Sequence, residues 1–108
     1  MREVSREAFA SARADGAFVI DVREPDEYLA AHIPGVVLMP QATVPARLSD
    51  LPRSAPVYVV CASGNRSLAV AELLGRAGFD AWSVAGGTSG WQSAGYPVMQ
   101  GAAANVAA

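Results

Sequence analysis

The sequence holds few of the residues that build disulfide or metal sites. It has one cysteine, Cys61, and one histidine, His32, so it cannot form an intramolecular disulfide or a structural zinc site. A lone thiol fits a reducing compartment. Lysine is missing altogether, and the eight basic residues are all arginines scattered along the chain. Against ten acidic residues they leave a net charge of −2, which argues against the basic face that nucleic-acid binding needs.

Long apolar runs are also missing. No stretch approaches the roughly 20 residues of a membrane-spanning helix, and the polar start, residues 1–7, lacks the apolar core of a signal peptide. We therefore expect a soluble, cytoplasmic protein that binds neither membrane nor nucleic acid. The 108 residues are 52% hydrophobic and 17% charged, which suits one packed core. We predict a single domain over residues 1–101 and a frayed, Ala-rich tail over 102–108.

Strands and helices are predicted to alternate along the chain. The apolar runs predict strands at 18–22, 36–39, 57–60 and 81–84, and helical spacing predicts helices at 5–15, 25–32, 43–50, 67–77 and 88–94. Such alternation is typical of an α/β fold with a parallel sheet. We predict a three-layer sandwich in which helices cover both faces of a mostly parallel central sheet.

The segment CASGNRS, residues 61–67, carries the chemistry. It follows the clearest predicted strand and opens a helix, so it lies at the carboxyl end of the sheet, where open α/β folds bind ligands. Backbone N–H groups of a short loop and the positive end of the helix dipole both favour an anion there. They should lower the pKa of a thiol without help from a histidine, so Cys61 is the predicted nucleophile.

The residues after Cys61 are predicted to bind the substrate. Gly64 permits the turn, Arg66 offers a fixed positive charge to an anion, and Ser67 can cap the helix or hydrogen-bond the sulfur. The predicted binding set, acting mainly through backbone N–H groups, is Ala62, Ser63, Gly64, Asn65, Arg66 and Ser67. Because a polar, glycine-containing loop is not an apolar burial site, we expect an accessible sulfur and not a buried structural thiol.

Four further polar residues come earlier in the chain. Asp21 and Arg23 follow a predicted strand and are candidate supporting residues, although a structural ion pair is the more ordinary interpretation. His32 and Glu27 are interpreted as structural, with His32 bonded to a nearby backbone group or carboxylate.

The chain resembles the rhodanese family at three separate motifs. The first is DVREPDEY, residues 21–28, with HIPG at 32–35. The second is the Cys-x4-Arg-Ser loop at 61–67, and the third is Gly86-Gly87 followed by Trp91. These motifs stand in the family's order and spacing and cover residues 4–98. Three positions carry residues that are less usual in the family, namely Ala31, Val36 and the segment 88–90. They lie outside the cysteine loop.

The resemblance implies a rhodanese-like fold and a sulfurtransferase. In that family the cysteine takes the outer sulfur of thiosulfate or a persulfide donor and holds it as a persulfide. The sulfur then passes to a thiol, cyanide or a thioredoxin-like acceptor. No metal or organic cofactor is implied.

Two other functions remain open on the residues alone. A related phosphatase and arsenate-reductase branch uses a Cys-x5-Arg loop, often with a histidine before the cysteine, whereas this loop is one residue shorter and Val60 precedes Cys61. The shorter loop suits a single sulfur better than a tetrahedral phosphate. Rhodanese-like domains that lack the cysteine serve as binding or regulatory modules, and the presence of Cys61 argues against that function here.

Overall fold

A computed structural model describes residues 2–102, so the predicted tail lies outside the described residues except for Ala102. The strands are Glu3–Val4 (β1), Phe18–Asp21 (β2), Val37–Leu38 (β3), Val57–Val60 (β4) and Ala81–Val84 (β5). The helices are Arg6–Ala14 (α1), Pro25–Ala30 (α2), Asn65–Arg76 (α3) and Gly87–Ser93 (α4), with a 3-10 helix at Gln41–Asp50. No helix within residues 2–102 is long and apolar enough to cross a bilayer.

The five strands form one sheet in the order β1-β5-β4-β2-β3, and every neighbouring pair is parallel. This confirms the predicted parallel sheet. Because the strands run in one direction, their carboxyl ends meet at one edge. Strand β4 occupies the centre, and its last residue, Val60, lies beside Asp21 of β2. Cys61, the next residue, therefore lies in the middle of that edge.

Side chains alternate between two apolar clusters, one on each face of the sheet. One cluster joins Ile20, Val57 and Val59 of the strands to Val70 and Leu74 of α3. The other joins Val19, Val60 and Val84 to Phe9 of α1, Tyr28 of α2 and Trp91 of α4. Helices thus cover both faces, as the three-layer prediction requires.

The structure differs from the prediction at three elements. Strand β1 was not predicted, because two residues show no alternation and the strand depends on pairing with β5. The helix predicted at 43–50 has 3-10 geometry, begins at Gln41 and contains a kink at Arg47, whose φ of −119° is not helical. Helix α3 begins at Asn65 and not at residue 67, because Gly64 is its N-cap in a left-handed conformation with φ 113°. Both Arg66 and Ser67 therefore lie in the first turn of α3.

Candidate active site

The sulfur of Cys61 lies where β4 turns into α3. The turn at Gly64 brings the start of the helix over the sulfur, and the Gly64 amide donates a hydrogen bond to Sγ at 3.1 Å. The thiol in turn donates to Oγ of Ser67, one helical turn further on, at 3.3 Å. The sulfur is thus held by a backbone N–H and a hydroxyl, as the loop sequence predicts.

Burial of Cys61 differs from the prediction. The residue is only 1% exposed and joins the apolar cluster that contains Val59 and Val70. The expectation of an accessible sulfur is therefore wrong. Ser63 and Asn65, at the tip of the loop, are exposed, but the thiol itself lies beneath the loop. The surface of Cys61 is therefore almost wholly covered in this structure.

The environment nevertheless favours the thiolate. Burial raises the pKa of Cys61, but the Ser67 hydroxyl and the backbone amides of Ser67, Gly64 and Ser63 act in the opposite direction and together outweigh burial. The pKa of Cys61 therefore falls below its ordinary value. Hydrogen bonds to the charged form, and not a neighbouring base, are responsible.

Only part of the predicted ring of amides faces the sulfur. The N–H groups of Ser63, Gly64 and Ser67 act on it. Within residues 2–102, the amides of Ala62, Asn65 and Arg66 make no hydrogen bond to Sγ.

Helix α4 fixes the loop from the other side. The Thr88 amide donates to the carbonyl of Cys61 at 2.8 Å, and the Ser89 amide donates to that of Ala62 at 3.0 Å. A β-carbon on Gly87 would collide with the Cys61 carbonyl oxygen and would lie 2.7 Å from that of Ala62. The glycine pair at 86–87 therefore allows the first turn of α4 to donate hydrogen bonds to the loop carbonyls. Because these carbonyls point toward α4, amides of the loop can point toward the sulfur.

Arg66 is paired with Glu27. The guanidinium donates from Nη1 to Oε1 at 2.8 Å and from Nη2 to Oε2 at 2.9 Å. The hydrogen bond from Arg66 lowers the pKa of Glu27 to about 2, and the carboxylate raises the pKa of Arg66. An arginine in the first turn of a helix is unfavourable unless an anion lies near it. Here an internal carboxylate supplies that negative charge.

Asp21 and Arg23 form a separate, buried ion pair. Both Nε and Nη2 of Arg23 donate to the Asp21 carboxylate, the shortest bond being 2.8 Å, and Nη2 also donates to the Ala31 carbonyl at 2.7 Å. Within residues 2–102, neither side chain makes a hydrogen bond with the cysteine loop. The pair ties the end of β2 to the end of α2.

His32 is fully buried. Its Nδ1 lies 2.9 Å from the Tyr28 carbonyl, and its ring stacks on the Tyr28 ring with centroids 3.9 Å apart. These contacts place the histidine in the core beside α2.

Two contacts of the site were missed at the level of sequence. One is the approach of Glu27 to Arg66, and the other is Ser83, whose hydroxyl lies 2.7 Å from that of Ser67. The available signal for Ser83 was a lone hydroxyl within an otherwise apolar strand, AWSV. No spacing along the chain indicates that this hydroxyl points toward Ser67.

Comparison with known proteins decides the family. The model of the rhodanese-like domain matches residues 5–94. The chain belongs to the rhodanese-like domain family. Among its rhodanese relatives, thiosulfate sulfurtransferase GlpE of Pseudomonas entomophila is 36% identical over 89% of this chain and 88% of its own length. The putative sulfur carrier protein YrkF of Bacillus subtilis is 39% identical over 71% of this chain and 43% of its own length.

Solved structures agree with the rhodanese assignment. A rhodanese-related protein from Thermoplasma volcanium superimposes with a TM-score of 0.85 at 31% identity, covering 92% of this chain and 98% of that one. The resemblance drawn from the three motifs and the predicted fold are both confirmed.

Proposed function

We propose that this rhodanese domain is a sulfurtransferase in which Cys61 carries sulfane sulfur as a persulfide. The proposal depends most on one observation: Sγ of Cys61 accepts a hydrogen bond from the Gly64 amide and lies beside the Ser67 hydroxyl. These groups stabilise the Cys61 thiolate without a neighbouring base. A buried cysteine that serves only packing needs no such polar partners.

The proposed reaction has two displacements. The Cys61 thiolate attacks the outer sulfur of thiosulfate, a sulfur–sulfur bond forms to Sγ, and sulfite leaves with the electron pair of the broken bond. A thiolate acceptor then attacks the outer sulfur, takes it away as a new persulfide and returns Cys61 to its thiolate. Cyanide gives thiocyanate in the same way. With a persulfide donor the leaving group is a thiolate, and the exchange again needs no external oxidant.

The sulfur of Cys61 is covered, unlike that of a site open to solvent. Because Cys61 is buried, the donor must displace groups at the mouth of the loop before its sulfur meets Sγ. Arg66 lies in the first turn of α3 and Glu27 in the first turn of α2, and their side chains are 36% and 31% exposed. We propose that an anionic donor uses the guanidinium N–H groups that Glu27 leaves unused, since guanidinium has five and the carboxylate takes two.

The proposed acceptors are small thiols, cyanide or a thioredoxin-like protein. The lone cysteine suits a reducing compartment such as the cytoplasm, where these thiols are available. A net charge of −2 gives no support to a nucleic-acid or membrane partner.

The first test is loading of sulfur onto the protein. We expect thiosulfate to add one sulfur atom to Cys61, cyanide to remove it as thiocyanate, and Cys61→Ser to abolish both while leaving the fold intact. Intact-protein mass spectrometry and a thiocyanate assay measure these outcomes. A protein that gains no sulfur from thiosulfate or from a persulfide donor would be a binding module. Release of phosphate from an aryl phosphate would place it with the phosphatases instead.

A further inference from the structure

We propose that Ser83 is a positioning residue that acts through Ser67 to hold Cys61 as a thiolate. Three side chains form a continuous chain of contacts: Sγ of Cys61 lies 3.3 Å from Oγ of Ser67, which lies 2.7 Å from Oγ of Ser83. Ser67 and Ser83 are both fully buried. No water can therefore replace either contact without a change in the packing around it.

The fold holds Ser83 in place from three sides. Strand β5 lies between β1 and β4, and Ser83 pairs with Glu3 on one side and Val59 on the other. Its amide donates to the carbonyl of Arg2 at 2.7 Å, so the backbone is fixed. The side chain points to the α3 face, as Ala81 does two residues earlier. Its hydroxyl meets the first turn of α3 there, at Ser67.

The number of polar hydrogens in the Cys61–Ser67–Ser83 series favours the thiolate form of Cys61. With a neutral thiol, Cys61, Ser67 and Ser83 each bring one polar hydrogen, which makes three hydrogens for two contacts. Within residues 2–102, the Ser83 hydroxyl has no other hydrogen-bond partner, so one buried hydrogen is left without an acceptor. With a thiolate there are two hydrogens for two contacts: Ser83 donates to Ser67, and Ser67 donates to Sγ.

Ionisation of Cys61 thus reverses the direction of both bonds. In the thiolate state the Ser67 hydroxyl is polarised by the donor behind it, because hydrogen bonds in a chain strengthen one another in a low-dielectric interior. Without the Ser83 hydroxyl, Ser67 still donates to the sulfur, but its own oxygen is left without a donor. Ser83 should therefore affect the ionisation of Cys61 without touching the sulfur.

Alkylation of the protein by iodoacetamide tests this inference directly. Cys61 is the only thiol in the chain, so every alkylated molecule reports on it. The rate is followed from about pH 5 to pH 10, a range that spans the ordinary ionisation of a thiol. We expect Ser83→Ala to move the midpoint of this profile upward and to lower the rate about five-fold at any pH well below both midpoints, the effect of losing one hydrogen bond. Ser83→Thr, which keeps the hydroxyl, should retain the wild-type midpoint.

Two controls separate positioning from packing. A change in access to the buried sulfur would scale the rate equally at every pH and leave the midpoint in place. Ser93→Ala, on the exposed end of α4, should leave both the alkylation rate and the midpoint unchanged. The decisive comparison is Ser83→Ala made in the Ser67→Ala background, because the effect of Ser83 should vanish once the intermediate hydroxyl is gone.

An unmoved midpoint in Ser83→Ala would overturn the inference, and so would an equal shift in the Ser67→Ala background. Alkylation needs no sulfur donor. Failure of the positioning role therefore stays distinct from failure of the proposed sulfurtransferase activity, which loading with thiosulfate measures.

Discussion

Gly87 is the residue at which helix α4 comes closest to the cysteine loop. Its φ is 56°, and a β-carbon there would overlap the carbonyl of Cys61. We expect Gly87→Ala to push α4 away from the loop, to weaken the bonds from Thr88 and Ser89, and to lower sulfur loading at least ten-fold. The reaction rate with thiosulfate, measured on protein whose folding is verified by circular dichroism, checks this expectation.

Gly95 provides the matched control for this substitution. It also has a positive φ, 90°, but a β-carbon there would meet no atom within 4 Å. Gly95→Ala should therefore cost about 1 kcal/mol of stability for the left-handed backbone alone and leave sulfur loading at the wild-type level. Equal losses of loading in both variants would mean that backbone strain, and not the approach of α4 to the loop, explains the effect.

The site residues that sequence reasoning found are those contiguous with the nucleophile. Cys61, Gly64 and Ser67 lie within seven consecutive residues, and the strand–loop–helix pattern predicts that this segment wraps the sulfur. Ser83 and Glu27 come from other elements, so finding them requires the strand order and the position of α2. The burial of Cys61 was missed for a similar reason: loop polarity is a local property, whereas exposure depends on what packs over the loop.

At the scale of elements, the pair between Glu27 and Arg66 joins the first turn of α2 to the first turn of α3. Because folding lowers the pKa of Glu27 from 4.5 to about 2, the pair stabilises the fold fully above pH 4.5. That contribution is lost as the pH falls from 4.5 to about 2. Since both side chains are partly exposed to water, we expect it to be about 1 kcal/mol.

Glu27→Gln should therefore reduce the free energy of unfolding by about 1 kcal/mol at neutral pH. The difference from wild type should shrink as the pH falls toward 2 and approach zero below it, where the wild-type carboxylate is itself mostly protonated. Urea unfolding at several pH values measures the difference in unfolding free energy and its dependence on pH. Asp26→Asn, at an exposed residue next to Glu27 in the same turn, is the control that should preserve the wild-type pH dependence. A constant difference at all pH values would contradict the role of this pair.

Elements with a strong period of their own could be predicted from the sequence, and elements that depend on partners could not. Strands β4 and β5 have the predicted bounds: Pro56 precedes the apolar run of β4 and the cysteine loop follows it, while β5 follows Asp80 and is separated by one residue from the glycine pair at 86–87. Strand β1 exists through its pairing with β5, and only the tertiary structure supplies that partner. The helix predicted at 43–50 has 3-10 geometry and is interrupted at Arg47, whose φ of −119° is not helical.

At the scale of the whole molecule, the central sheet separates two apolar clusters, and the cysteine loop lies at the edge where both end. Alternation of strands and helices predicts a parallel sheet but leaves the strand order open, since several orders satisfy the same pattern. The observed order places β4 between β2 and β5. That position surrounds Cys61 with the ends of two other strands, which explains its burial. It also brings the Ser83 hydroxyl of β5 to Ser67, the residue whose own hydroxyl contacts the sulfur.

The apolar cluster between α3 and the sheet should contribute to the stability of the fold without taking part in the reaction at Cys61. Leu74 is fully buried in that cluster, two helical turns beyond Ser67. Leu74→Ala should cost about 2–5 kcal/mol of unfolding free energy, because it removes buried apolar contacts and leaves a cavity. Leu29→Ala, on the 47% exposed Leu29 of α2, should change that free energy by less than about 0.5 kcal/mol. Under conditions where both variants remain folded, each should load sulfur from thiosulfate at the wild-type rate. Loss of loading in folded Leu74→Ala would show that packing of α3 on the sheet, and not only its first turn, sets the position of the Ser67 hydroxyl against the sulfur.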